Sequence, residues 1–464
     1  MKFPHQTSQF LQQQVSFTQW QHQVAFYRDF FIAQPQQRWL IFFEDSYQFT
    51  CYFFALIAAN KQVILPPNGQ PLQIAQCMKH ADIFLGELAG KNDTDVLSDY
   101  LTFDLSQLDG DRKQTVDLLN NPLSFDKHCQ LVFFTSGSSG QAKAIEKTFE
   151  QLIIEVEQLE LTFAKQLDTK QSGSSVPVVM ATVSHQHIYG LLFKVLWPIW
   201  SGRDLYLKTF AYPEHLVHEI KQHPKANIWL ISSPAYYHRL LADNVLVEVK
   251  EQLQALFSSG GPLNSEAAIA IKDSLLKSPI EVFGSTETGG IAWRQRASVQ
   301  DEVWHVFSGI ACKNNHDEQC LAILSPYVDA NNWYQTQDRV ELIDKQRFKL
   351  LGRADRIVKI EEKRCSLDEI GLRLGEHPWV EQAFVLVIDA LGHRRTLAAV
   401  VELTTTGKDV LAASSKFTFD KQLKAHLKQY FEAIVVPRKF RYLDCLPYNS
   451  QGKLNKKQLE TLFD

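Results

Sequence analysis

Short apolar runs, each stopped by a cluster of small polar residues, recur along this chain. Trp39–Phe43, Gln62–Leu65, Leu131–Phe134, Val178–Val183, Asn227–Ser232, Ala255–Phe257 and Ile280–Phe283 have the length and composition of buried strands. Phe49–Ala59 is apolar enough for a buried helix, and it lies between two of these strands. Strand, helix, strand in that order predicts a parallel α/β layer. Pro66 and Pro67 stop one strand, because proline lacks the N–H that a ladder requires. Thr148 and Gln151 fit a capping box, and Leu152, Val156, Leu159 and Phe163 follow at helical spacing. Residues 1–37, rich in glutamine with interspersed aromatics, read as helical, and Lys170–Ser175 as a polar turn.

The breakers between the runs are distinctive. Ser232-Ser233-Pro234, Ser258-Ser259-Gly260-Gly261-Pro262 and Gly284-Ser285-Thr286-Glu287 each follow a strand. Ligands of open α/β sheets gather at the carboxyl ends of strands, so these turns should converge. The most informative stretch is Leu131–Lys143. There a buried strand feeds Thr135-Ser136-Gly137-Ser138-Ser139-Gly140, with Lys143 close behind. Clustered N–H and O–H donors beside a lysine suit a polyphosphate. The common nucleotide loop GxxxxGK[ST] is absent.

Towards the C-terminus the pattern restarts as a separate domain. Phe384–Ile388 and Leu397–Leu403 read as strands joined by a turn at Leu391-Gly392-His393. Thr404–Ser415 reads as a loop, Lys421–Phe431 as a helix and Pro437–Tyr442 as a strand.

Composition narrows the function classes. A chain of 464 residues is long enough for two or more domains. A net charge of −4 gives no reason to expect a nucleic acid partner. The seven cysteines form no CxxC, so neither a zinc site nor a disulfide framework is indicated. Cys51–Ala59 is too short to span a bilayer, and Met1–Gln6 opens no signal-peptide core. No transmembrane segment and a cytoplasmic protein are therefore expected. His185 and His187 stand two apart without a third ligand nearby, which favours a packed or substrate-facing His187 over a metal site.

Four strings carry a resemblance. TSGSSGQAK, VFGSTE, TQDRVELID with LLGRADRIVKI, and PYNSQGKL occur in that order. Together they resemble the core motifs of the adenylate-forming superfamily, which holds acyl-CoA synthetases, peptide-synthetase adenylation domains and firefly luciferase. The likeness runs over roughly residues 38–460. It implies an acyl-CoA synthetase-like fold: a large α/β N-terminal domain with several sheets, residues 1–353, and a small mobile α+β C-terminal domain, residues 354–464, with a hinge near Asp355.

The resemblance also implies roles. Thr135, Ser136, Gly137, Ser138, Ser139 and Gly140 would wrap the β- and γ-phosphates of ATP, and Lys143 would neutralise departing pyrophosphate. Gly260 and Gly261 would leave bare backbone for the adenine, with Phe283 stacking where the family usually has tyrosine. Gly284 and Ser285 join that cofactor-binding set. Thr286 would donate to the α-phosphate, and Glu287 would ligate Mg²⁺, which prefers hard oxygen. Asp338 and Arg353 would hold the ribose, and Lys453 would bridge the substrate carboxylate and the α-phosphate. Two strings depart from the family. Gln337 stands where TGD has glycine, and Glu362 where the thiol-guiding loop has glycine, a carboxylate that weighs against free CoA.

The reaction so implied joins a small carboxylic acid to ATP, releases pyrophosphate, and passes the acyl group to a phosphopantetheine thiol of an acyl carrier protein or CoA. Ser184-His185-Gln186-His187 lacks the aspartate that amino-acid-activating relatives use, which points away from an α-amino acid. His187 and Tyr189 would wall a flat pocket, favouring an aromatic or hydroxyaryl acid over a fatty acid. Arg438, Lys439, Arg441, Lys453, Lys456 and Lys457 form a basic segment that could meet an acidic carrier protein or simply face solvent. The alternatives are a non-catalytic acyl-adenylate or nucleotide-binding protein on the same fold and, more remotely, a phosphate-loop kinase or GTPase.

Overall fold

The computed structural model describes residues 1–88, 100–104, 118, 121–136, 142–164, 167, 176–315, 319–360, 363–390, 394–448 and 454–463. The chain divides into two compact units. The first holds Met1–Ile310 with Leu324–Tyr334, and the second holds Ala311–Ile323 with Gln335–Asn449 and Lys453–Asp464.

In chain order, the strands that lie wholly in the first unit are β1 (Gln9–Phe10), β2 (Val15–Ser16), β3 (Arg38–Phe42), β4 (Gln62–Leu65), β5 (Ile83–Gly86), β6 (Gln130–Ser136), β7 (Ala142–Thr148), β8 (Val178–Ala181), β9 (Asp204–Thr209), β10 (Ile228–Ser232), β11 (Leu253–Ser258), β12 (Ile280–Ser285), β13 (Gly289–Gln295) and β14 (Val303–Val306). One five-stranded sheet has the order β5-β3-β4-β6-β7. It is parallel until β7, which returns antiparallel to β6. The neighbouring strands of the other sheet run β14-β13-β12-β11-β10-β8-β9-β1-β2. From β9 through β8, β10 and β11 to β12 every pairing is parallel, so their carboxyl ends share one edge.

The helix between β3 and β4 spans Ser46–Ala58 and buries Phe49, Phe53, Phe54, Leu56 and Ile57 completely. It begins before the apolar run because Asp45 accepts from Gln48 N at 2.7 Å and so caps it. Thr148 and Gln151 form the expected reciprocal cap on the helix Phe149–Leu159. The N-terminal region departs from the all-helical expectation. Only Phe17–Ile32 is α-helix, because Phe10 pairs with Leu205 and draws the preceding residues into the sheet.

The second unit contains β15 (Ala311–Asn314), most of β16 (Cys320–Ser325) and β17 (Asp329–Leu342), and β18 (Arg347–Arg353), neighbours in that order. A hairpin of β19 (Ile357–Ile360) and β20 (Lys363–Ser366) follows. A three-stranded sheet of β21 (Val380–Ala390), β22 (Arg394–Leu403) and β23 (Lys439–Leu443) completes it. Helices Leu367–Gly375 and Lys416–Leu427 bury Ile370, Leu374, Phe419, Leu423 and Leu427 against Val385, Leu397 and Val401. This matches the expected α/β part with several sheets and smaller α+β part. The loop expected over Thr404–Ser415 is instead the helix Thr405–Ala413. Thr404 caps it by accepting from Gly407 N at 3.0 Å, and Val410 and Leu411 pack on the core, which outweighs the weak helix propensity of Thr and Gly. Gly407 is required there, since a Cβ would lie 2.2 Å from the Trp379 carbonyl oxygen. The turns expected at Lys170–Ser175 and Leu391-Gly392-His393 lie outside the described residues.

Cys51, Cys77, Cys129, Cys320 and Cys365 are buried, Cys312 is half-buried and Cys445 is exposed. Among the described residues no helix is long and apolar enough to cross a membrane.

Candidate active site

The β6–β7 hairpin carries the Ser/Gly string. Thr135 pairs with Lys143 and Ser136 with Ala142, so Lys143 sits on the return strand and not in a loop. Gly137, Ser138, Ser139 and Gly140 lie outside the described residues. Along one face of β7 come Lys143, Ile145 and Lys147, because side chains alternate along a strand. Lys143 is 62 % exposed, and its Nζ lies 3.6 Å from Glu287 Oε1.

Glu287 stands at the tip of the β12–β13 hairpin, in the turn Thr286-Glu287-Thr288. Gly289, at φ +65°, provides the left-handed exit residue that such short hairpin loops favour. Thr288 Oγ1 accepts from Ser285 N at 3.0 Å, and Ser285 Oγ accepts from Thr288 N at 3.2 Å, which closes the turn. Thr286 is buried. Gly284 is pressed against the returning strand, where a Cβ would meet Gly289 O at 2.1 Å. Phe283 packs against Trp304, with ring centroids 5.5 Å apart.

The strand ends converge as the turn pattern suggested. Ser259 Oγ donates to Val282 O at 2.8 Å, which brings the Gly260-Gly261 turn alongside Phe283. Gly260 has φ +88°. Thr182 Oγ1 and Ser232 Oγ are 2.9 Å apart, and Tyr189 Oη donates to Ser232 O at 3.1 Å. Tyr189 also packs on Phe193, at 4.8 Å between centroids. His187 precedes this short helical segment as its N-terminal flanking residue. The expected residues of the first unit that are described thus gather at neighbouring strand ends and turns.

Asp338, Arg353 and Asp355 form a second cluster, in the second unit. Arg353 forks onto Asp355, with Nε–Oδ1 and Nη2–Oδ2 both at 2.8 Å. Arg353 Nη1 lies 3.4 Å from Asp338 Oδ1. Burial raises the pKa of Asp338, against the pull of Arg353. Hydrogen bonding to Arg353 holds Asp355 below the usual carboxylate range. Gln337 stands on an extended strand and not in a turn. Thr336-Gln337-Asp338 lies within the extended β17, and Gln337 points to solvent while Thr336 is buried. Thr336 Oγ1 donates to Leu321 O at 2.8 Å, so the strand needs no glycine at this point. Lys453 and Glu362 lie outside the described residues.

Two buried networks were not foreseen from the sequence. In the first, Lys194 Nζ donates to Ser46 Oγ at 2.9 Å and to Thr209 Oγ1 at 2.7 Å. Ser46 Oγ lies 2.7 Å from His185 Nδ1, and His185 Nε2 lies 2.9 Å from Phe43 O. A carbonyl only accepts, so Nε2 carries the proton and Nδ1 accepts from Ser46. Burial pushes Lys194 down to about 7, with Asp45 opposing, and drives His185 well below its ordinary value. In the second network, Lys147 Nζ donates to Glu287 O at 3.1 Å and Tyr327 O at 2.8 Å. Glu155 Oε1 accepts from Gly290 N at 2.6 Å, and burial raises Glu155 to about 7. The signal for Lys147 was the alternation Lys143-Ile145-Lys147, and for Lys194 a lone cation in an apolar run.

The AMP-binding enzyme family matches residues 2–312. Malpinin synthetase from Mortierella alpina is 37% identical over 126 residues, 27% of this chain and only 2% of that protein's length. A 4-coumarate–CoA ligase from Cereibacter sphaeroides is 26% identical over 335 residues, 70% of each chain. A D-alanine–D-alanyl carrier protein ligase from Staphylococcus aureus is 24% identical over 380 residues, 74% of each. The solved structure of an ATP-bound RpMatB–BxBclM chimera aligns with TM-score 0.83 at 15% identity, covering 100% of this chain and 97% of that one, a likeness of fold. With the family's motifs seated on neighbouring strand ends and the match spanning residues 2–312, the chain belongs to the AMP-binding enzyme family, within the adenylate-forming superfamily of acid–thiol ligases and their relatives.

Proposed function

We propose that this enzyme joins a carboxylic acid to ATP and then hands the acyl group to a phosphopantetheine thiol, on an acyl carrier protein or CoA. A carboxylate oxygen attacks the α-phosphorus and pyrophosphate leaves. The thiol sulfur then attacks the acyl carbon of the mixed anhydride and AMP leaves. The observation that carries this reading is the meeting of Lys143 with Glu287, which joins the Ser/Gly hairpin to the GSTE hairpin.

Glu287 fits Mg²⁺, an ion that takes one or two carboxylates and completes its shell with water and phosphate oxygens. Such an ion would draw charge from the phosphates, and Lys143 would bind the departing pair. Lys453 would supply the third cation, and rotation near Asp355 would withdraw it for the thiol step. The acid is aromatic or hydroxyaryl in this reading. In support, the Tyr189 hydroxyl is committed to Ser232 O, so the residue offers an apolar ring, and Phe193 packs beside it. The 4-coumarate–CoA ligase and the carrier protein ligase among its relatives support the two acceptor types. ATP–pyrophosphate exchange over a panel of aryl, hydroxyaryl, fatty and amino acids tests the proposal. Exchange with hydroxyaryl acids is expected. No exchange with any acid would leave a nucleotide-binding protein in its place.

A further inference from the structure

We propose that Lys147 and Glu155 are positioning residues that clamp the backbone of the Glu287 hairpin, an inference that rests on the ATP-dependent reading above. The turn is gripped on both sides. Lys147 holds the carbonyl of Glu287 itself, at 3.1 Å, and the Tyr327 carbonyl at 2.8 Å. Glu155 holds the Gly290 N–H at 2.6 Å. Its other oxygen, Oε2, has no hydrogen-bond partner among the described residues. Glycine at 289 and 290 permits this close approach. A Cβ on Gly289 would fall 2.5 Å from Glu155 Oε2, and one on Gly290 would fall 3.3 Å from Oε1.

Both clamping groups come from the chain segment that carries Lys143. Lys147 lies on the same face of β7, and Glu155 lies on the helix Phe149–Leu159 that follows directly. The strand that would face the departing phosphates therefore also fixes the carboxylate expected to face the metal. A slide of the hairpin tip along β7 would break the Lys147 bond to the Glu287 carbonyl. Residues that orient a ligating carboxylate, without touching the ion, typically govern affinity by about 10- to 100-fold. The competing view is that the pair merely balances charge in the core.

Calorimetric titration with MgATP, and with ATP in EDTA, separates the two views when combined with thermal unfolding. Lys147→Met alone leaves the Glu155 carboxylate without its cation and should lower the melting temperature. The double variant Lys147→Met/Glu155→Gln removes both charges and should recover most of that loss. If the pair positions the hairpin, both variants still bind MgATP about tenfold or more weakly, while metal-free ATP binding stays near wild type. Glu155→Gln alone keeps an oxygen for Gly290 and keeps Lys147, so it should bind MgATP like wild type. A double variant with wild-type MgATP affinity, or equal weakening by Glu155→Gln and Lys147→Met, would overturn the inference. So would a parallel loss of metal-free binding. A wild-type protein that bound no MgATP would instead overturn the function on which it rests.

Discussion

Lys143 and Lys147 occupy the same face of one strand and have opposite surroundings. Lys143, at the end of β7 next to its connection with β6, is 62 % exposed, and its Nζ lies 3.6 Å from Glu287 Oε1. Lys147, at the other end, is 3 % exposed and gives its hydrogens to two backbone carbonyls. Burial lowers the pKa of Lys147, with Glu155 and the Glu287 charge opposing. An exposed cation is screened by water and costs little to leave loosely paired, so it is available to a ligand. A buried one must have its donors satisfied within the fold, so its charge is already spent on structure. One strand thus carries an exposed lysine, loosely paired, and a buried lysine fixed to the scaffold.

The comparison can be broken most sharply at the buried end. Lys147→Met should cost roughly 2–4 kcal/mol of stability, since it leaves the Glu287 and Tyr327 carbonyls without their donor. Urea unfolding measures it, and a loss near zero would make the two lysines equivalent. At the exposed end, Lys143→Ala should leave the urea midpoint unchanged and slow pyrophosphate exchange by about 10²- to 10³-fold. A stability loss like that of Lys147→Met would erase the contrast.

Lys194 extends the test to a second buried lysine. Its folded pKa, about 7, lies below the ordinary lysine value of 10.5. Between those limits the unfolded chain binds the extra proton, so wild-type stability should rise with pH through that window. The slope should approach ~1.4 kcal/mol per pH unit, and Lys194→Met should flatten it. Identical pH profiles for the two proteins would mean that Lys194 stays charged. The smallest effect belongs to an exposed position. Gln337→Gly restores the family's residue on β17, yet should lower stability by about 0.5–1 kcal/mol with exchange unaltered. A gain in exchange would show that the glutamine obstructs the site.

The parallel core and the motif turns could be read from sequence because each is local. A run such as Ile228–Ser232 is apolar over a strand's length and stops at Ser233-Pro234. The same holds for the GSTE turn. What escaped was decided by tertiary contact. The helix Thr405–Ala413 has poor propensity and forms because Val410 and Leu411 find the core. The Lys194–Ser46–His185 chain joins Ser46 to a segment about 140 residues further on, and no spacing rule links them. Lys147 is buried only because the fold brings the Glu287 and Tyr327 carbonyls to it, residues far along the chain. Gln337 likewise sits on a strand with one face open to solvent, which accommodates a side chain that a tight turn would not.

The thiols bear on the chemistry in another way. A mixed anhydride with AMP acylates any sulfur nucleophile that reaches it, and thiolates are the reactive form. Burial pushes Cys77 and Cys129 up to about 12 and Cys51 higher still, so these side chains stay protonated and out of reach. Cys445 alone among the seven is exposed. Were a thiol to visit such an anhydride, the buried sulfurs, held protonated, would be poor competitors for it.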